Sequence, residues 1–220
     1  MKIKAVIFDL DGTLLDTLDD LASAGNRVLQ AAGLPVHPIY RYRYFVGDGL
    51  QSLVERILPA GRRKEEQVHD LIAAFRKDYG SNWKVKTRLY NGVAEMLDGL
   101  QESRIKMNVF SNKPHDFTAA CVQEFMGAWT FQIVLGQREG RPRKPDPAGA
   151  FEIARLLAAD PRDILYLGDT ATDMKTASAA GMLPVGALWG FRTEDELRES
   201  GAVHLVSHPL EVIDLIHADA

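Results

Sequence analysis

The sequence predicts an α/β protein, a parallel Rossmann-like sheet core carrying an inserted α-helical cap. Three observations predict it. Short apolar runs alternate with helical patterns over most of the chain, as crossover connections between parallel strands require. About seventy residues after the first run break that alternation and read as helix only. Polar, reactive residues follow the apolar runs, where ligands bind in open α/β sheets.

The first run, Ala5 to Phe8, is short, wholly apolar and ends at Asp9, which fits a buried strand. From about Asp16 to Lys86 the candidates are helices: Leu18 to Leu34, Leu50 to Leu58 and Glu65 to Phe75. Residues 16–86 are therefore expected to form the cap, with 1–15 and 87–220 forming the core. Gly92 to Glu102 follows as a helix, with Asn91 as a suitable N-cap. Further strands are expected at Val109-Phe110, Ile133 to Leu135, Ile164 to Leu167 and Leu183 to Ala187, with helices at Asp116 to Met126, Pro147 to Leu157 and Thr172 to Ala180.

Bulk properties narrow the classes of function. With 46% apolar and 25% charged residues the composition is that of a globular protein. A net charge of −4 offers no basic excess for a nucleic-acid partner. No apolar run reaches bilayer length, and a strand-like N-terminus leaves no room for a signal peptide. The single cysteine, Cys121, sits in an apolar pattern and fits core packing in a reducing compartment. A cytoplasmic monomer or homodimer is the expectation.

The chemistry sits behind the strands. Asp9-Leu10-Asp11-Gly12-Thr13 follows the first, and Ser111-Asn112-Lys113 the second. Lys144-Pro145-Asp146 precedes a helix, and Gly168-Asp169-Thr170-Ala171-Thr172-Asp173 follows the strand ending at Leu167. A lone Asp-x-Asp carries little, since Asp is common in turns. Four elements in this order resemble the four motifs of the haloacid dehalogenase superfamily of phosphotransferases, over the whole chain.

That resemblance implies a magnesium-dependent phosphatase acting on a small phosphorylated metabolite. Asp9 is then the nucleophile, forming an aspartyl-phosphate, and Asp11 the general acid and base. Asp9 and Asp169 would hold Mg²⁺ with their carboxylates, and Asp11 with its main-chain carbonyl. Asp173 would stand behind them, orienting a water or Lys144. Capping of the helix after Gly168 is the alternative for Asp169 and Asp173. Ser111 and the N–H of Asn112 would hold phosphoryl oxygens, and Thr13 would bind phosphate or a turn. Lys144 would neutralise phosphate and the crowded acids.

Within the superfamily, Asp16 to Leu21, Val46 to Gly49, Ser111 to Pro114 and Val185 to Phe191 are similar to phosphoglycolate phosphatases. This makes 2-phosphoglycolate the first substrate expectation, with pyrophosphate or another small phosphoester behind it. Asp11 argues against a dehalogenase. Asp19-Asp20-Leu21, where a histidine would be expected, argues against a β-phosphoglucomutase-like mutase. A receiver-type signalling domain shares the aspartate, magnesium and lysine but needs neither Asp11 nor a cap.

Other features read as structural. His204 and His208 lie four apart beside Pro209 in a strand-like setting, which does not suit a zinc pair. Gly47-Asp48-Gly49 is too short for a dinucleotide fingerprint. Tyr40, Tyr42 and Tyr44, alternating with Arg41 and Arg43, are expected to pack the cap. Trp189-Gly190-Phe191 reads as the turn after the last core strand, and Arg138, Arg141 and Arg143 as solvent-exposed.

Overall fold

A computed structural model describes residues 3–218. The first strand, β1 (Ala5–Phe8), has no exposed residue, so its apolar run faces protein on both sides. It lies inside a six-stranded parallel sheet with β4 (Lys106–Pro114), β5 (Phe131–Gln137), β6 (Ile164–Gly168), β7 (Leu183–Ala187) and β8 (His204–Val206). The order is β5-β4-β1-β6-β7-β8. The chain steps from β1 to β4 and β5 on one side, then returns to β6, β7 and β8 on the other. The direction of winding thus reverses at β1, and a crevice must open at its carboxyl end. Asp9 is the first residue in that crevice.

Between β2 (Leu15–Asp16) and β3 (Arg88–Leu89), two short antiparallel strands, come α1 (Leu18–Ala31), α2 (Tyr42–Phe45), α3 (Leu50–Ile57) and α4 (Glu65–Asn82). These helices share an apolar cluster that includes Leu29, Tyr42, Val54, Ile57, Leu71 and Phe75. In α4 the buried positions Val68, Leu71, Phe75 and Tyr79 recur at three- and four-residue steps, which is one helical stripe. At the stem, Asp20 accepts from the main-chain N–H of Lys86 and of Thr87, tying the entry of the insertion to its exit.

Helices α5 (Val93–Glu102), α6 (His115–Met126), α7 (Ala148–Leu157), α8 (Ala171–Ala179), α9 (Glu194–Glu199) and α10 (Glu211–Ala218) alternate with the later strands. Val6, Phe8, Leu97, Val109 and Leu167 belong to one apolar layer, and Ile7, Ile153, Tyr166 and Met182 to another. Burying such side chains stabilises by roughly 1.5–3 kcal/mol each. Cys121 lies in the first layer, and burial pushes its thiol up to about 11, which keeps it inert.

Three expectations need correction. Asn91 does not cap α5; the cap position is Gly92, seated against the His208 ring. Of the three tyrosines only Tyr42 packs inside, while Tyr40 and Tyr44 are exposed, because this stretch is helical and its alternate residues do not share a face. Strand β7 is not the last of the sheet: β8 lies beyond it, so Trp189 to Phe191 form an internal turn. No helix among the described residues is long and apolar enough to cross a membrane.

Candidate active site

At the carboxyl ends of β1 and β6, one oxygen from each of Asp9, Asp169 and Asp173 lies within 4.8 Å of the others. All three residues are buried, and so is Lys144. The Lys144 ammonium stands 3.0 Å from Asp9 Oδ1 and 2.7 Å from Asp173 Oδ1, and donates to the Phe110 carbonyl at 3.0 Å. Three buried carboxylates facing one ammonium leave an excess of negative charge in a low-dielectric place. Burial, then repulsion from Asp173, pushes the Asp9 carboxyl up to about 7 against the pull of Lys144. Burial, then repulsion from Asp173 and Asp9, raises Asp169 well above the usual carboxylate range. Burial works against the charge on Lys144, but Asp173 and Asp9 outweigh it and hold the ammonium protonated.

The donors reaching each carboxylate differ. Asp9 Oδ1 accepts from the Leu10 N–H at 2.7 Å as well as facing Lys144, whereas Oδ2 has no such partner among the described residues. Asp169 accepts from Thr13 Oγ1 at 3.0 Å and from the Phe191 N–H at 2.8 Å. Asp173 is fully engaged: Oδ1 faces Lys144, and Oδ2 accepts from the Thr170 N–H and hydroxyl, completing a capping box for α8. Asp173 therefore both caps the helix and holds the lysine. Thr13, expected to bind phosphate or a turn, is fully buried with its hydroxyl spent on Asp169.

Two glycines let the acids come this close. A Cβ on Gly12, whose φ is 89°, would sit 2.3 Å from Asp169 Oδ2, and one on Gly190 would sit 2.2 Å from Asp169 Cβ. Gly190→Ala is expected to lower stability by about 1–3 kcal/mol, the usual scale for overpacking, and to blunt stabilisation by divalent cations in a thermal melt. An unchanged melt with and without cation would show that the contact relaxes freely.

Asp11 turns away from the three acids. Its carboxylate pairs with Lys113 Nζ at 2.9 and 3.1 Å, and Lys113 also donates to the Tyr79 hydroxyl at 2.9 Å. Lys113 is buried; desolvation opposes its charge, but Asp11 more than compensates. Ser111 and Asn112 line the same cleft. The Asn112 side chain serves the framework. It donates to the Lys144 carbonyl and accepts from the Lys144 N–H, pinning the lysine's loop, and it donates to Gly47 of the insertion. Arg138, Arg141 and Arg143 are exposed. Lys113 and Tyr79 were not anticipated as site residues. Strand alternation places Ser111 and Lys113 on one face, a signal available for the lysine; nothing marks Tyr79 among the apolar positions of its stripe.

The insertion roofs this edge. Thr172 of α8 donates to Asp48 at 2.7 Å, Arg192 to the Val46 carbonyl at 3.0 Å, and Arg43 to the Gly190 carbonyl. Beneath lies a cleft with an empty volume of about 530 Å³, its open mouth included, floored by Asp9, Asp11, Ser111, Asn112 and Lys113. The floor can hold a phosphoryl group against hard oxygen ligands and ammonium donors. The donor set, all carboxylate oxygen with an uncompensated negative charge, suits a hard divalent cation such as Mg²⁺ and not a soft one.

Comparison with known proteins agrees with this chemistry. A model of haloacid dehalogenase-like hydrolases matches residues 6–187. Phosphoglycolate phosphatase 1 of Pseudomonas aeruginosa is 31% identical over 192 residues, covering 86% of this chain and 70% of its own. The phosphoglycolate phosphatase of Salmonella typhi is 34% identical over 209 residues, covering 86% and 83%. Among solved structures, a Lactobacillus delbrueckii subsp. bulgaricus protein provisionally named a phosphoglycolate phosphatase superposes with a TM-score of 0.90 at 28% identity, covering 98% of this chain and 99% of its own.

Proposed function

The chain belongs to the haloacid dehalogenase-like hydrolase family, and from that membership we propose that it hydrolyses a small phosphomonoester through a phosphorylated Asp9. The reading rests on one observation: Asp9, Asp169, Asp173 and Lys144 converge at the crevice where the sheet reverses its winding. Asp9 and Asp169, with the Asp11 main-chain carbonyl, would hold Mg²⁺, whose charge would spread the developing negative charge of the phosphoryl group.

The chain's own residues account for the remaining steps. Leu10 and Lys144 fix Asp9 Oδ1, so the carboxylate is oriented before substrate arrives. An Asp9 oxygen bonds to phosphorus as the ester P–O bond breaks, and the leaving oxygen takes a proton from the Asp11 carboxyl. In the second half Asp11 takes a proton from water, whose oxygen attacks phosphorus. The Asp9–phosphorus bond then breaks, releasing inorganic phosphate and restoring both carboxyl groups. Once Asp11 has given up its proton, Lys113 pairs with the carboxylate and holds its rotamer for the second half-reaction. The helical insertion acts as a cap that excludes water from the phosphorylated enzyme.

The names of the relatives, together with the segments that resemble phosphoglycolate phosphatases, support 2-phosphoglycolate as the substrate. Phosphate release from it, abolished by chelator and restored by Mg²⁺, tests the assignment. A wild-type protein that releases no phosphate from any phosphomonoester would overturn it. Asp11→Asn is expected to slow turnover by about 10²–10⁴-fold, and more for poor alkyl leaving groups than for p-nitrophenyl phosphate. Equal losses on both would remove Asp11 from proton transfer.

Protons and cation should compete for the acids. Asp9 rises from 3.8 to about 7 on folding without cation. Below the lower value it is neutral in both states and costs nothing. Between the two values the folded state binds the extra proton, so stability falls as pH rises, and above the upper value the full cost of about 4 kcal/mol is present. The Mg²⁺-induced rise in melting temperature is therefore expected to grow from pH 5 to pH 8. A rise that shrinks over that range would contradict cation binding at these carboxylates.

A further inference from the structure

The side chains over the cleft are apolar but for one. Leu21, Leu50, Leu53 and Phe75 of the insertion and Phe117 of α6 line it, and Tyr79 brings in a phenol hydroxyl. That hydroxyl is buried and accepts a hydrogen bond from Lys113, so its own hydrogen points elsewhere. Among the described residues no acceptor takes it. A buried donor without an acceptor is destabilising, and the surroundings normally supply a partner. Tyr79 lines the cleft, so a group bound there can supply that partner. Directly behind stands Lys113, the sole cation among the described lining residues; its ammonium pairs with Asp11 at 2.9 and 3.1 Å, and its donation to the phenol oxygen polarises the hydroxyl as a donor.

We propose that Tyr79, backed by the Lys113 ammonium, is the specificity-determining residue that receives an oxygen acceptor, best an anionic one, on the alcohol half of the substrate. This deepens the phosphatase reading and rests on it. An oxygen placed against the apolar side chains has no side-chain partner there, which costs binding. The site thus selects small phosphomonoesters whose alcohol half carries one acceptor close to the ester oxygen. A carboxylate accepts the phenol hydrogen in a charge-assisted bond, a hydroxyl accepts it in a weaker neutral one, and a bare alkyl group does not accept it.

Wild-type kcat/KM is measured on 2-phosphoglycolate, 2-hydroxyethyl phosphate and ethyl phosphate, with p-nitrophenyl phosphate as an independent check of phosphatase chemistry. The expected order falls from carboxylate to hydroxyl to alkyl, by about tenfold or more across the series. Tyr79→Phe should lower the ratio of kcat/KM for 2-phosphoglycolate to that for ethyl phosphate by about 10- to 100-fold. The ring contacts survive this change: Tyr79 stacks on Phe75 at 5.6 Å and meets Phe117 edge-on at 5.1 Å. If wild type turns over p-nitrophenyl phosphate but the ratio is unmoved in Tyr79→Phe, the recognition role is wrong while the phosphatase stands. A parallel loss on both substrates, the signature of a merely structural tyrosine, also overturns it. Should the variant not fold, the wild-type series decides, and a preference for ethyl phosphate refutes the proposal. No activity on any of the four esters would instead remove the phosphatase reading itself.

Discussion

Asp9→Asn is expected to abolish turnover, by about 10⁴-fold or more on the scale seen when a covalent nucleophile is removed, without loosening the fold. The amide keeps the shape of the carboxylate and can still accept from the Leu10 N–H, which meets Oδ1 at 2.7 Å. It also removes one of three mutually repelling charges. Asp9 is held up to about 7 by burial and by Asp173, so its ionised form works against folding at neutral pH. In chelator, the variant should therefore melt at or above the wild-type temperature near pH 8, and Mg²⁺ should raise that temperature less than it does for wild type. Phosphate release and two melts separate the roles. A variant that keeps near-wild-type turnover excludes Asp9 as nucleophile. A variant that is inactive because it melts far lower makes Asp9 a structural residue.

Much of this arrangement was legible in the chain, for reasons specific to certain residues. The Ala5 to Phe8 run ends in an acid, and an acid straight after a fully buried strand has few places to go except the sheet's edge. Repeating that reading at Leu167-Gly168-Asp169 placed a second acid on the same edge, which the pairing of β1 with β6 brings alongside the first. The stem of the insertion was less legible, because β2 and β3 are two residues each, too short for any periodicity. Thr13 and Asn112 illustrate a different limit. Their side chains serve other residues: Thr13 holds Asp169, and Asn112 clamps the loop of Lys144. Such partnerships join residues tens of positions apart, and only the tertiary fold states them. Tyr79 is the extreme case, since a tyrosine on an apolar stripe looks the same whether its hydroxyl meets solvent, a carbonyl or a ligand.

Lys144→Met should cost both stability and catalysis, and the two losses should come apart in a double variant. The lysine is the ammonium shared by Asp9 and Asp173, at 3.0 and 2.7 Å, with side-chain exposure of 1% or less for lysine and Asp173. Methionine fills a similar volume, so the change isolates the charge. It leaves buried carboxylates without a counter-ion, a situation that typically destabilises by about 3–5 kcal/mol. For a chain of this length that corresponds to a drop of roughly 10 °C in melting temperature. Mg²⁺ should return part of it by neutralising the acids. Adding Asp173→Asn removes the charge that Lys144 left behind, so Lys144→Met/Asp173→Asn should regain most of the lost stability. Turnover should stay low in both, since neither restores a cation beside Asp9 and the phosphoryl group. The cycle has a definite failure: if the double variant melts at the sum of two independent losses, Lys144 and Asp173 do not act as a pair, and electrostatic balance is not what holds this edge together.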